Sequence, residues 1–130
     1  MRKGLFFLLL VFTVTGAFHV RQALKPKPIT VATVHDEIVR KIPLGATVDD
    51  VKSWLVGKKW EFSYFGARDR DFADIVIDSG HRPADLKAAI VAATPRKQEF
   101  LRTSYISIAF YFDRDYKLIG FSVSELGTSL

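Results

Sequence analysis

Apolar positions along this chain fall into three regimes. From Leu5 to Val20 they follow one another almost without a break; from Val34 to Leu55 they return every three or four residues; from Trp60 onward they mostly alternate with polar ones. A period near 3.6 marks a helix with one buried stripe, and a period of 2 marks a strand with one buried face. The pattern therefore predicts an α+β fold: two short N-terminal helices packed on one face of a three- to four-stranded antiparallel sheet, after an N-terminal hydrophobic helix.

The uninterrupted run has no polar face from Leu5 to Val14, which sets it apart from a core helix. Its sixteen residues would rise about 24 Å as a helix, against a hydrocarbon core of about 30 Å. Arg2 and Lys3 precede it, and Thr15-Gly16-Ala17 supplies small residues of the kind a signal peptidase accepts. Phe18, His19 and Val20 prolong the segment, while Arg21, Lys25 and Lys27 can snorkel to an interface. Residues 1–20 thus read either as a signal peptide cut near Ala17 or, the reading preferred here, as an uncleaved anchor that meets the membrane through residues 5–20. In Lys25-Pro26-Lys27-Pro28 each proline lacks an amide hydrogen and drives the residue before it towards extended geometry, so residues 21–28 are a stiff basic linker. Residues 29–130 are then one domain, about 100 residues and enough for a single core. The expected location is extracytoplasmic, held at a membrane, or secreted or periplasmic after cleavage.

Within the domain, Val34, Ile38 and Ile42 at helical spacing predict a helix over Thr33 to Lys41, stopped by Pro43 and Gly45. Thr47 with Asp50 three residues later is a shortened capping box. It opens a second helix whose Val48, Val51 and Leu55 share a face beside Trp54, and which Gly57, Lys58 and Lys59 close. Trp60, Phe62 and Tyr64 then alternate with Glu61 and Ser63, the mark of a strand. Ile106, Ile108, Phe110 and Phe112 alternate with Tyr105, Ser107, Ala109 and Tyr111; Asp113 to Tyr116 is a connector of hairpin length, beyond which Ile119, Phe121 and Val123 are expected to point the same way. The middle carries two signals. Pro83 and the Ala-rich residues before Pro95 have the punctuation of a helix, whereas Leu86, Ala88, Ile90 and Ala92 alternate as a strand. The strand is preferred because it extends the sheet beside Tyr105 to Asp113. Arg68 to Gly80 predicts a polar loop with a short extended piece at Ile75 to Ile77.

Charge changes the picture only through its location. The net charge of +5 comes entirely from residues 1–28, which hold five basic side chains and no acid; residues 29–130 carry 14 of each sign. The cations sit where anionic headgroups would be, and the neutral domain offers no basic face to nucleic acid. With no cysteine in the chain, a disulfide framework, a lipid-modified cysteine and thiolate chemistry are all excluded.

Candidate chemistry is sparse. Asp69, Asp71, Asp74 and Asp78 offer oxygen ligands, but Arg68 and Arg70 stand among them and the glycine-punctuated loop of an EF-hand is missing. His35, Asp36 and Glu37 are adjacent, so on a helix they diverge. His81 follows Gly80 in a turn with no serine-nucleophile motif near it, and nothing in the sequence brings Glu61 to Asp113. No metal or other cofactor is called for. The alternation that buries Ile106 to Phe112 leaves Tyr105, Ser107, Ala109 and Tyr111 on the opposite sheet face, a flat amphipathic surface suited to a protein or peptide partner.

Ile42 to Leu55, with its Gly45-Ala46-Thr47-Val48-Asp49-Asp50-Val51 opening and Leu55 four residues on, resembles the start of small exported domains of the SmpA/OmlA group of outer-membrane accessory lipoproteins and the related β-lactamase-inhibitor-protein-like fold. Phe110-Tyr111-Phe112-Asp113 with Lys117-Leu118 is similar to the strand, turn and strand of that group. The resemblance covers Val34 to Gly57 and Ser104 to Ser124, and it implies a fold of two helices before an antiparallel sheet and an envelope compartment. The lipid-attachment cysteine of that group is absent here. Together these readings predict a non-enzymatic interaction or accessory domain of the cell envelope. The alternative is a small extracytoplasmic hydrolase or metal-dependent enzyme using His81 and the Asp69–Asp78 loop.

Overall fold

The computed structural model describes residues 28–129, so the apolar run of residues 5–20 and all but the end of the linker lie outside it. No helix among the described residues is long and apolar enough to cross a membrane.

Helix α1, Val31–Lys41, starts two residues ahead of the predicted position because Thr30 and Thr33 cap it reciprocally: the Thr33 amide donates to Thr30 Oγ1 at 3.1 Å and the Thr30 amide to Thr33 Oγ1 at 2.9 Å. Val34 and Ile38 form its buried stripe. The connection to the next helix needs a left-handed backbone at Gly45, φ +90°, where glycine carries no steric cost. This connection is pinned to the sheet, with the Gly45 amide donating to the Leu118 carbonyl at 2.8 Å and the Leu118 amide to Ala46 at 2.7 Å.

Helix α2, Val48–Lys58, has the capping box read from Thr47 and Asp50. Asp50 donates its amide to Thr47 Oγ1 at 3.2 Å, and Asp50 Oδ2 accepts from the Thr47 amide at 3.1 Å. Gly57 stays inside the last turn, and the left-handed closing residue is Lys59, φ 60°, which turns the chain so that Trp60 drops into the core. Lys58 ties the two helices together. Its Nζ donates to both Glu37 carboxylate oxygens, at 2.8 and 3.0 Å, and stands 4.9 Å from the Trp60 ring and 5.9 Å from the Trp54 ring.

The α+β prediction holds, with five strands in the sheet and every pairing antiparallel. They are β1 Glu61–Gly66, β2 Ala88–Ala93, β3 Lys97–Glu99, β4 Arg102–Phe112 and β5 Leu118–Ser129. β1 pairs with β2; β2 and β3 share one edge of β4, and β5 takes the other. The strand preferred over a helix in the middle is β2, with Pro83–Asp85 forming only a single 3-10 turn ahead of it. The extra strand arises at Pro95, which has no amide to donate and splits one ribbon into β2 and β3. Thr94 bridges the break: its amide donates to the Ile106 carbonyl, and its Oγ1 accepts from the Ile106 amide, each at 2.9 Å.

Helices α1 and α2 cover one face of this sheet. Val34, Ile38, Val51, Leu55 and Trp60 pack with Ile90, Ile106, Ile108, Phe110, Phe112 and Leu118 into the main core. Two expectations are corrected here. Ile119 does not share a face with Phe121 and Val123, because the register slips between Tyr111 and Phe112 and leaves Ile119 as the extra residue of a bulge; Leu118 takes the core position, and Ile119 packs on the far face. The supposed loop at Arg68 to Gly80 contains a third helix, α3, Phe72–Ser79, with Ile75 to Ile77 helical rather than extended. Its stripe is only Phe72 and Val76, one i,i+4 pair, and Gly80 at φ 73° ends it.

Candidate interaction face

Because side chains alternate along a strand, the face turned away from α1 and α2 is set by β4: Tyr105, Ser107, Ala109 and Tyr111 do lie together on it, opposite Ile106, Ile108, Phe110 and Phe112. They are not equally available. Helix α3 sits over one end, and Phe72, Val76 and Leu86 close on Ala89 and Tyr111 as a second small core with Phe65 and Ile119 at its margin. Tyr111 is consequently 4% exposed, which corrects its assignment to an open partner surface. Its hydroxyl lies 3.0 Å from Ser122 Oγ, so the buried phenol is hydrogen-bonded.

The remaining half of the face is open, and the register shows which residues the sequence reading left out. One cross-strand row runs Ser63, Val91, Ala109, Ser122; the next runs Glu61, Ala93, Ser107, Ser124. Ser63, Ser122 and Ser124 are exposed, and Val91, Ala93, Ser107 and Ala109 are half-buried by their neighbours. Tyr105 borders these rows on the side away from α3, with the Arg96 guanidinium 5.8 Å from its ring. The signal for Val91 and Ala93 was the alternation already visible in Ala88 to Ala92. The serines of β5 carried the same signal in their alternation with Phe121 and Val123; the register that sets them beside Ala109 and Ser107 did not show in the sequence. The result is a shallow floor of alanine, valine and serine, with the exposed Glu61 at one corner, between an aromatic border and a helix.

The titratable residues of the enzyme alternative are not assembled into a site. His81 stacks 5.8 Å from Tyr111 and lies against Gly120, its Nε2 3.2 Å from the position a Cβ would take there. Its amide donates to Ser79 Oγ at 3.0 Å. Asp69 Oδ2 accepts from the Gly66 amide at 2.6 Å and shapes the turn after β1, whereas Asp71, Asp74 and Asp78 are exposed along α3. No group of three or more metal-ligating side chains exists among the described residues. His35 leans on Phe121 at 5.2 Å and its Nδ1 lies 3.8 Å from Asp36 Oδ1, while Glu37 is turned away and held by Lys58. Glu61 is level with Ser107 and Asp113 follows Phe112, a separation of about 20 Å along the strands. Among the titratable groups Tyr64 is perturbed: burial first, then the neighbouring Tyr116 and Asp69, raises its phenol above the ordinary tyrosine value.

Comparison of the chain with protein-family models, with curated proteins and with solved structures finds no match in any of the three, so its functional reading rests on the geometry above.

Proposed function

We propose that this protein is a non-catalytic interaction domain displayed at the extracytoplasmic side of a membrane, binding a protein or peptide on the open half of its outer sheet face. One observation carries the reading: two adjacent rows, Ser63-Val91-Ala109-Ser122 and Glu61-Ala93-Ser107-Ser124, small but for Glu61, stay uncovered on a sheet whose other face packs against α1 and α2. Support for the location is the basic, apolar and Pro-interrupted run of residues 2–28. The order of two helices before an antiparallel sheet also suits the small exported accessory domains that Ile42 to Leu55 resembles.

A photo-crosslinking residue at Ser107 in the full chain, compared with one at the exposed Val56 on α2, tests the binding face. The expected result is a discrete adduct from position 107 that Ala93→Arg abolishes, with none from position 56. Equal adducts from both positions, or none from 107 together with loss of biological function in His81→Ala, would overturn the reading. Membrane fractionation with N-terminal sequencing tests the location, the expected form being an intact chain in the membrane fraction.

A further inference from the structure

The turn joining β3 to β4 presents Phe100 and Leu101 side by side to solvent, 93% and 55% exposed. Single exposed hydrophobes are ordinary on a protein surface. This pair differs in three respects. It occupies the apex of the β3–β4 hairpin, where Lys97 pairs with Ser104 and Glu99 with Arg102, and it extends past the last rung of β5, where Arg102 pairs with Ser129. It is flanked by three cations within seven residues, Arg96, Lys97 and Arg102, against two acids, Glu99 in the same stretch and Glu125, whose Oε1 lies 3.9 Å from Arg102 Nη2. Leu101 also adopts φ 62°, a left-handed conformation that glycine would occupy without strain, so the turn carries a large apolar side chain where its backbone favours none.

The position of this turn gives the cluster a direction. Pro28, Ile29 and Thr30 line one cleft together with Thr94, Pro95, Arg96, Lys97 and Ser104, so the chain arrives in the domain beside the base of the hairpin. From the Lys97–Ser104 rung to the apex is about three residue steps, roughly 10 Å. The seven linker residues 21–27 can span at most about 25 Å, and their sequence holds Arg21, Lys25 and Lys27.

We infer that the β3–β4 turn seats in the interface of an anionic lipid bilayer, with Phe100 and Leu101 at the boundary of headgroups and acyl chains and Arg96, Lys97 and Arg102 against the phosphates. The inference rests on the membrane-display reading and adds an orientation to it. An aromatic and an aliphatic tip backed by cations has the two-part chemistry of interfacial attachment, burial of apolar area plus attraction to anionic headgroups. The domain would then stand with β4 rising away from the membrane, and the opposite end, where Gly45 is bonded to Leu118, would lie about 34 Å from the turn. The open rows of the outer face would be held at the side, clear of lipid.

The absence of cysteine makes single-cysteine labelling clean. The full chain carrying Phe100→Cys, Leu101→Cys or Leu44→Cys, each with a nitroxide label, is reconstituted in phosphatidylcholine vesicles with and without phosphatidylglycerol. Collision rates with oxygen and with a water-soluble nickel chelate are then measured. Leu44, 71% exposed at the distal end, is the control. The expected result is oxygen-dominated relaxation at positions 100 and 101 and nickel-dominated relaxation at 44, with the labels at the turn shifting towards water when phosphatidylglycerol is omitted or in an Arg96→Glu, Arg102→Glu background. A chain that floats with the vesicles while labels at 100 and 101 report water overturns the turn's role and leaves membrane display intact. A chain that does not float overturns both.

Discussion

The two faces of the sheet are built from the same strands and differ by one residue step. On the inner face β4 places Ile106, Ile108, Phe110 and Phe112, each buried, beneath two capped helices of 11 residues apiece. On the outer face the intervening positions are Tyr105, Ser107, Ala109 and Tyr111, covered at one end only by an 8-residue helix that lacks a side-chain cap bond. Full burial of an Ile or Phe side chain contributes about 1.5–3 kcal/mol, so the inner face carries the stability of the domain. An isolated helix as short as α3 is marginal in water, and this one is held by Phe72 and Val76 with Ile75 beside them. The difference teaches that strand parity separates the two faces: the outer face can keep small side chains and an uncovered half because the core on the inner face does not depend on it.

The comparison is tested most severely at the core. Phe110→Ala should cost about 3–5 kcal/mol in chemical denaturation, through lost burial and the cavity left behind, whereas Tyr105→Ala on the other face should cost about 1 kcal/mol or less. Equal losses would break the distinction. Tyr111→Phe should remove about 0.5–1.5 kcal/mol with its hydrogen bond to Ser122, and in a double-mutant cycle with Ser122→Ala the two losses should not add. Full additivity would mean that the phenol contributes only by packing. Ser124→Arg, at an exposed position paired with Ser107, should change stability by about 0.5 kcal/mol or less, yet abolish crosslinking from position 107, which sharpens the claim that this half of the face is free of structural duty.

The smallest effect concerns the sheet edge. Because the Tyr64 phenol is raised above its ordinary value, the folded state holds that proton more tightly than the unfolded chain, and this contribution to stability is lost as pH climbs through the tyrosine range. Relative to Tyr64→Phe, the native chain should therefore lose slightly more stability above about pH 10 and match it below. Identical profiles would show that Tyr64 titrates as an unperturbed phenol.

The legible parts of this molecule are those whose causes lie within a few residues. The Thr47–Asp50 box, the helical stripe of Val34 and Ile38 and the alternation of Ile106 to Phe112 were readable because capping, helix pitch and strand pleat are local properties. Helix α3 was hidden because eight residues with one i,i+4 apolar pair hold little periodic signal among the aspartates, and its helicity comes from packing on Ala89 and Tyr111. For the outer face, the strand period assigned four residues of β4 to it correctly. The rows contributed by β1, β2 and β5 were missed because register is a relation between strands.

By itself, the sequence determined the α+β class, the capped start of α2, the inner-facing residues of β4 and the confinement of net charge to residues 1–28, since each follows from composition or from interactions between near neighbours in the chain. Only the tertiary structure decided that Tyr111 is buried, that Ile119 slips to the far face, that Pro95 divides a ribbon in two, and that Phe100 projects beside the point where the chain arrives. Those outcomes depend on which distant segments meet, and a chain carries no local mark of the partner that will cover a given side chain.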